Sequence, residues 1–171
     1  MSMIGNFRLV EAQELERLLA EPEAIENLLC ADDDEAGDGA PDSTQLDIDK
    51  AWHGLHFLFT GTAWEGKPPL NFIAGGGQEV GDVDVGYGPA RAFTSAEVKE
   101  ISAALTGLST ADLRKRFDPA KMMKLQIYPE IWDRDAADDD TLAYLLEYFE
   151  QLKAFLAHGA ERNFALLVYL N

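Results

Sequence analysis

The residues of this chain whose types and spacing could do chemistry are Asp49, His53 and His56. On a helix, positions i, i+4 and i+7 lie on one side, so a carboxylate and two imidazoles would face the same way. Such a set can hold a metal ion, or its imidazoles can act in acid–base catalysis. A simpler interpretation places His53 at the surface and His56 in a hydrogen bond of the core. No second cluster of residues with metal-ligand spacing follows, so we predict no metal and no cofactor.

A candidate ligand pocket is the second chemical hypothesis. Trp52 and His56 lie on the same segment, and Tyr128, Pro129 and Trp132 follow later in the chain. Aromatic side chains beside a proline can line a pocket, or they can close the core over a loop. The candidate pocket of a small-ligand-binding domain or an enzyme is therefore Trp52, His56, Tyr128 and Trp132. No linear motif of a nucleophilic hydrolase accompanies it, so catalytic residues are not identified.

One helix must position these side chains. Asp47 is a plausible N-cap, because its carboxylate can accept hydrogen bonds from the free amides of a first helical turn. Gly61 is a natural stop, since it readily takes the left-handed conformation. Between them, apolar residues recur at helical spacing, which predicts a buried face made of Ile48, Ala51, Trp52, Leu55, Leu58 and Phe59.

Four stretches of the sequence carry a resemblance to a known family. They are residues 46–62 (LDIDKAWHGLHFLFTGT), the opening MSMIG, residues 125–129 (LQIYP) and residues 163–168 (NFALLV). In this order they resemble the YfbM-like family of small bacterial proteins, domain of unknown function 1877. The resemblance implies an α+β fold and no particular activity. Trp52 and His56 match the family pattern, whereas the position of His53 accepts other residue types.

Hydrophobic periodicity predicts the fold class. We predict a single α+β domain over residues 1–171, with a small, mostly antiparallel sheet covered by several helices. The closing strand has a continuous apolar run, which favours an interior position in the sheet. Strands are predicted at 3–10, 83–93 and 163–170, with Pro89 at an edge, and helices at 11–19, 23–30, 47–61, from Thr94 to Gly107, from Thr110, and from Thr141 to a stop at Gly159.

A glycine-rich stretch at residues 75–88 invites a nucleotide-binding interpretation. It lacks the Gly-Lys-Ser/Thr ending of a P-loop and the strand–glycine motif–helix order of a dinucleotide site. Its carboxylates at Glu79, Asp82 and Asp84 would repel phosphate. We therefore predict a flexible loop.

The charge balance is the strongest bulk feature. Lys and Arg total 14 against 31 Asp and Glu, which gives a formal net charge of −17. Such a field repels nucleic acids and anionic membranes and favours a basic partner, although acidic surfaces also simply keep proteins soluble. Two acidic loops, near 31–45 and 133–140, would carry the contact. The candidate partner-binding residues are Asp32, Asp33, Asp34, Glu35, Asp138, Asp139 and Asp140.

The favoured function is thus a non-catalytic protein-interaction module, of which an immunity or inhibitor role is one version. The basic cluster at residues 114–124 could bind an anion, but neutralising nearby carboxylates is the commoner role of such a cluster. Cys30 lies among apolar helical neighbours and is predicted to be buried. A single cysteine, no membrane-length apolar run and no leader pattern lead us to expect a cytoplasmic protein. The YfbM-like resemblance implies a bacterial one.

Overall fold

The computed structural model describes residues 2–30 and 42–171. Within these ranges the chain forms five strands and seven helices. In chain order the elements are β1 (Gly5–Val10), α1 (Ala12–Ala20), α2 (Ala24–Cys30), β2 (Gln45–Asp47), α3 (Ala51–Thr60), β3 (Gln78–Asp84), β4 (Pro89–Phe93), α4 (Ser95–Thr106), α5 (Thr110–Arg116), α6 (Pro119–Lys124), α7 (Thr141–Glu161) and β5 (Ala165–Leu170).

The strands form one sheet in the order β2-β1-β5-β4-β3, and every neighbouring pair is antiparallel. The closing strand β5 lies in the middle, where Val168 is in register with Phe7 on one side and Arg91 on the other. Its apolar run is buried from both faces of the sheet, so the predicted interior position is confirmed. The predicted α+β fold with a small antiparallel sheet is likewise confirmed.

The two faces of the sheet carry separate cores, because successive side chains of a strand point to opposite faces. Leu15, Leu18 and Ile25 of α1 and α2 pack with Val10 and Leu167 on one face. The later helices pack with Phe7, Leu9, Phe93, Leu166 and Val168 on the other. Helix α3 lies within this larger core, and every one of its residues except Thr60 is buried.

The glycine-rich stretch was predicted as a loop and is largely a hairpin. Strands β3 and β4 pair through Gln78 with Ala92 and Asp84 with Pro89. The single extended segment predicted at 83–93 is therefore wrong, and so is the edge position of Pro89, since β4 lies between β3 and β5. Pro89 is tolerated there because it is the first residue of its strand.

Two helix boundaries differ from prediction. Asp47 is not the N-cap of α3: the helix begins at Ala51, and the Asp47 carboxylate instead accepts a hydrogen bond from the Asp49 amide at 2.5 Å. Helix α7 runs through Gly159 to Glu161. Gly159 allows α7 to approach β1 closely, since a Cβ at this position would lie 2.6 Å from Cδ2 of Leu9.

Other signals in the sequence hold. Gly61 ends α3 in the left-handed conformation, with φ of 76°. Thr94 and Glu97 form a capping box at the predicted start of α4. Cys30 departs from its prediction, because it is exposed at the end of α2, which buries Ile25 on a different side of the helix. Within the described ranges, no helix is both long and apolar enough to cross a membrane.

Gly54 allows α3 to approach its neighbours closely. A Cβ at this position would lie 2.7 Å from Cη2 of Trp132 and 2.7 Å from Cδ2 of Leu145. Substituting Gly54→Ala is expected to lower the free energy of unfolding by about 1–3 kcal/mol through overpacking, despite the higher helix propensity of alanine. Urea denaturation measures this loss. The matched change Gly61→Ala meets no neighbouring atom and tests backbone conformation alone. Equal or greater stability of Gly54→Ala would contradict the packing argument.

Candidate functional site

His53 is buried on α3 and both of its ring nitrogens are engaged. Its Nε2–H donates to the Ala63 carbonyl at 2.7 Å, and its Nδ1 accepts from the Tyr128 amide at 3.0 Å. This pattern requires the neutral ring, because a proton on Nδ1 would remove the acceptor. Burial lowers the pKa of His53, and the bond to Ala63 opposes this only in part. The predicted surface position of His53 is wrong.

His56 lies one turn further along α3 and is fully buried. Its Nε2–H donates to the Glu65 carbonyl at 3.0 Å, while its Nδ1 has no hydrogen-bond partner in the described part of the chain. Burial is the main cause that lowers the pKa of His56, to about 4; the charges of His53 and Arg91 act in the same direction, while the bond to the Glu65 carbonyl and the Glu65 charge oppose the change. The ring is therefore neutral at pH 7. The two imidazoles together tie the loop at 63–65 to α3 and Tyr128.

Asp49 does not share a helical face with the histidines. It precedes α3, has φ of 47°, and accepts a hydrogen bond from the Tyr144 hydroxyl at 2.9 Å. The three residues at i, i+4 and i+7 consequently do not form the predicted metal or acid–base set. No other group of three His, Cys, Asp or Glu side chains suited to a metal occurs among residues 2–30 and 42–171.

The predicted pocket residues do lie near one another, but within packed structure. Trp52 stacks on His53 at 4.7 Å between ring centroids and lies 6.0 Å from Tyr128. Its indole donates to the Met3 carbonyl, and the Met3 amide donates to the Tyr128 hydroxyl. Trp132 is buried and donates to the Ile127 carbonyl at 2.7 Å. These contacts give each side chain a role in joining the N-terminus and the Ile127-Tyr128-Pro129 segment to α3.

Trp64 is the exposed member of this aromatic group. It is 57% exposed and lies 4.4 Å from the His53 ring between centroids. No pattern in the sequence assigns Trp64 a role. Its exposure follows from the loop that His53 and His56 hold in place.

An acidic surface forms where the start of α3 meets α7, and we call it the acid–tyrosine patch: Asp47, Asp49, Tyr144, Glu147 and Tyr148. The Tyr144 and Tyr148 rings contact edge to face at 5.2 Å. Burial raises the pKa of Tyr148, and the charges of Asp49, Asp47 and Glu147 raise it further. The pKa of Tyr144 is raised by burial and by its bond to Asp49. Both phenols are thus hydrogen-bond donors at neutral pH.

The second acidic loop leads into this patch. Asp140 caps α7 by accepting from the Ala143 amide at 2.9 Å, and Asp139 pairs with Arg134 at 2.6 Å. Asp138 is exposed. Asp140 and Tyr144 are four residues apart at the start of α7 and so lie on one side of the helix. The other predicted acidic residues, Asp32, Asp33, Asp34 and Glu35, lie outside the described residues.

Two residues with special environments were not predicted. Arg91 is a single arginine in a strand, and no local pattern predicts that it donates to four backbone carbonyls of the segment 72–76. The Tyr144–Asp49 bond joins residues 95 positions apart. The spacing of Tyr144 and Tyr148 at i and i+4 was the one available signal for the patch.

Two surface cavities of the described part of the chain lie elsewhere, around the C-terminal end of α3. One has a volume of about 460 Å³ between α3 and α5–α6, and its neighbour of about 620 Å³ lies along the loop at 66–70. Neither is lined by Trp52, His56 or the other predicted pocket residues. The predicted pocket residues therefore form a packed aromatic group that borders neither of these two cavities.

Comparisons with known proteins agree with this architecture. Residues 1–169 match the family described as "Domain of unknown function (DUF1877)". The chain is 27% identical over 175 residues to protein YfbM of Escherichia coli, and the match covers 98% of both. It is also similar to the crystal structure of YfbM, a protein of unknown function from Escherichia coli, with a TM-score of 0.71 and 22% identity over 98% of this chain and 99% of that chain. Since the family match spans nearly the whole sequence, this chain belongs to the DUF1877, or YfbM-like, family.

Proposed function

We propose that this chain is a non-catalytic protein-interaction module of the cytoplasm, and that its acid–tyrosine patch binds a basic protein partner. An immunity or inhibitor role toward that partner is one concrete version. The observation that carries the proposal is the patch itself: carboxylates and phenols together at a surface, in a chain with a net charge of −17.

The chemistry of the patch suits lysine and arginine side chains. Asp47 and Glu147 are exposed, and in the described part of the chain neither is within ion-pair distance of a basic side chain. Tyrosine supplies a large amphipathic contact at small conformational cost, which is why interfaces are enriched in it. Complementary charge also accelerates encounter with a basic protein.

The alternative, an enzyme or small-ligand site around His56, Trp52 and Tyr128, has weaker support. A catalytic imidazole needs access to substrate and a pKa near the working pH. His56 is fully buried and its pKa lies near 4. Both histidines instead donate to carbonyls of the loop at 63–65.

Charge reversal on the patch tests the proposal. The variant Glu147→Lys with Asp138→Lys reverses one exposed carboxylate of the patch and one of the acidic loop that leads into it, and it is expected to abolish capture of a basic protein that wild type retains from lysate. Capture is read by mass spectrometry during elution with rising salt, and the captured protein is then purified for titration calorimetry. We expect its affinity for the variant to fall at least tenfold, because like charges then face each other across the contact.

A matched variant, Glu26→Lys with Glu100→Lys, carries the same net charge change on α2 and α4, away from the patch. It should retain the partner with nearly wild-type affinity. Equal weakening by both variants would show that net charge, and not the patch, governs binding. Retention of the partner by Glu147→Lys with Asp138→Lys would overturn the patch as its binding surface. Capture of no basic protein by wild type would overturn the proposed function as a whole.

A further inference from the structure

A basic cleft lies at the opposite end of α3 from the acid–tyrosine patch. It has a volume of about 460 Å³, and three cations line it: Lys115, Arg116 and Lys121. The single acidic side chain in its lining is Asp118, which also caps α6 by accepting from the Lys121 amide at 3.1 Å. In a chain with a net charge of −17, three cations around one cleft are a local reversal of the surface charge.

The cations of this basic cleft, Lys115, Arg116 and Lys121, form no ion pair with a described carboxylate. Asp112 is the acidic group on which Lys115 and Arg116 act most directly, and it is committed to the Ser109 capping box. Lys121 lies over the Phe57 ring at 5.5 Å, which fixes the direction of its side chain without neutralising it. The charges of Lys115 and Arg116 thus help to lower the pKa of Asp112 and offset one nearby carboxylate, although no described ion pair engages either cation.

The C-terminal end of α3, which forms one wall, carries partial negative charge. Hydrogen bonds within the chain already compensate part of this negative charge. The Gly61 amide donates to the Phe57 carbonyl, and Arg116 donates from Nη1 to the Leu58 carbonyl at 3.1 Å. A helix end is equivalent to about half a charge, so the three cations outweigh this wall together with Asp118.

A second, mainly apolar groove continues from the basic cleft. It has a volume of about 620 Å³, shares Phe59 and Thr60 with the cleft, and runs along Pro68, Pro69 and Leu70. A ligand can therefore place a charged group among the cations and an apolar part on the adjoining surface. Volumes of this size suit small molecules, since ligand pockets span roughly 300–1,000 Å³.

We propose that the basic cleft binds the phosphate or carboxylate group of a small amphiphilic ligand whose apolar part lies in the adjoining groove. Lys115, Arg116 and Lys121 supply charge-assisted hydrogen bonds to the oxygens of the anion. Pro68, Pro69 and Leu70 supply contact for the apolar part. This site is independent of the proposed partner binding, because it takes an anion at a different surface.

Titration calorimetry with octyl phosphate, below its micelle concentration, tests the proposal on the full chain. We expect saturable binding that is at least tenfold tighter than binding of ethyl phosphate, because the longer chain adds contact in the groove. The variant Lys115→Ser with Lys121→Ser should weaken octyl phosphate binding at least tenfold. The control Lys99→Ser with Arg162→Ser removes the same charge elsewhere and should bind like wild type.

Each other result decides against the site. Absence of octyl phosphate binding, equal weakening by both double variants, or equal affinity for ethyl and octyl phosphate would overturn it. Circular dichroism of each variant verifies folding before titration. Sedimentation with phosphatidylglycerol vesicles separates the sources of the anion: co-sedimentation lost in Lys115→Ser with Lys121→Ser supports the site with a lipid headgroup as ligand, whereas binding of octyl phosphate alone supports it with a free small molecule.

Discussion

Lowering the pH from 7 to 4 is expected to remove about 3 kcal/mol from the free energy of unfolding through His56 alone. The unfolded chain binds a proton on this ring near pH 6.5, while the folded protein binds it near pH 4. Each pKa unit corresponds to roughly 1.36 kcal/mol, which gives the size of the loss. The stabilisation is fully present above pH 6.5 and is lost as the pH falls toward 4. His53 adds a loss of the same sign, because burial lowers its pKa too.

Urea denaturation at several pH values between 7 and 4.5 measures this dependence. His56→Gln keeps a donor for the Glu65 carbonyl and should flatten the pH dependence, even where it lowers stability at pH 7. His158→Gln, in the last turn of α7, is the matched histidine substitution with which the slope of His56→Gln is compared. The carboxyls with lowered pKa, Asp42, Asp84 and Asp112, lose their stabilising effect only below pH 3.8. Identical slopes for His56→Gln and wild type would refute the assignment.

Arg91→Met is expected to lower the free energy of unfolding by at least about 3 kcal/mol. Arg91 donates from Nη1 to the carbonyls of Phe72, Gly75 and Gly76, and from Nη2 to the carbonyl of Ile73 at 2.6 Å. Burial lowers its pKa to about 10, so the group remains charged at neutral pH. Removing the guanidinium leaves these acceptors without a donor, which is a larger cost than the loss of one ordinary hydrogen bond.

Chemical denaturation and hydrogen exchange measure this effect. Arg17→Met is the matched change: Arg17 is exposed and its ion-pair partner among the described residues is Glu14 at 3.3 Å, so its loss should cost about 0–1 kcal/mol. Arg91→Lys should fall between the two, because an ammonium reaches fewer carbonyls than a planar guanidinium. Amides of the segment from Phe72 to Gly76 and of β3 should exchange faster in Arg91→Met. Similar losses for Arg91→Met and Arg17→Met would show that the carbonyl contacts contribute little.

Both predictions concern side chains that hold loops in place through their backbone carbonyls. Cations and imidazoles of this chain donate to backbone carbonyls of loops, and the loops are thereby fixed against α3 and β4. His53 and His56 hold the segment 63–65, and Arg91 holds the segment that precedes β3. Substitutions at these positions should therefore act on stability first, whereas changes at Glu147 or Lys115 should act on binding and leave stability nearly unchanged.

Local chemistry determined much of the fold. The apolar periodicity of α3 and α7, the capping box of Thr94 with Glu97 and the turn at Gly61 were readable because each depends on residues within a few positions of one another. The central place of β5 was readable for a similar reason, since a strand covered on both faces is apolar throughout. The charge balance also followed from composition, although composition does not say where carboxylates gather.

Tertiary structure alone decided the rest. The sequence offered Asp49, His53 and His56 as one helical face, yet the chain turns at Asp49 and its carboxylate meets Tyr144, 95 residues away. It offered Gly159 as a stop, yet the glycine lies against Leu9 from the other end of the chain. Helical and strand periods fix which side of an element is apolar, but a hydrogen bond or a close approach depends on which distant element the fold brings there. For that reason the sequence by itself determined most of the helices, the strands β1 and β5, and the family. Only the folded chain showed β2, the β3–β4 hairpin and α6, and separated structural histidines from the acid–tyrosine patch and the basic cleft.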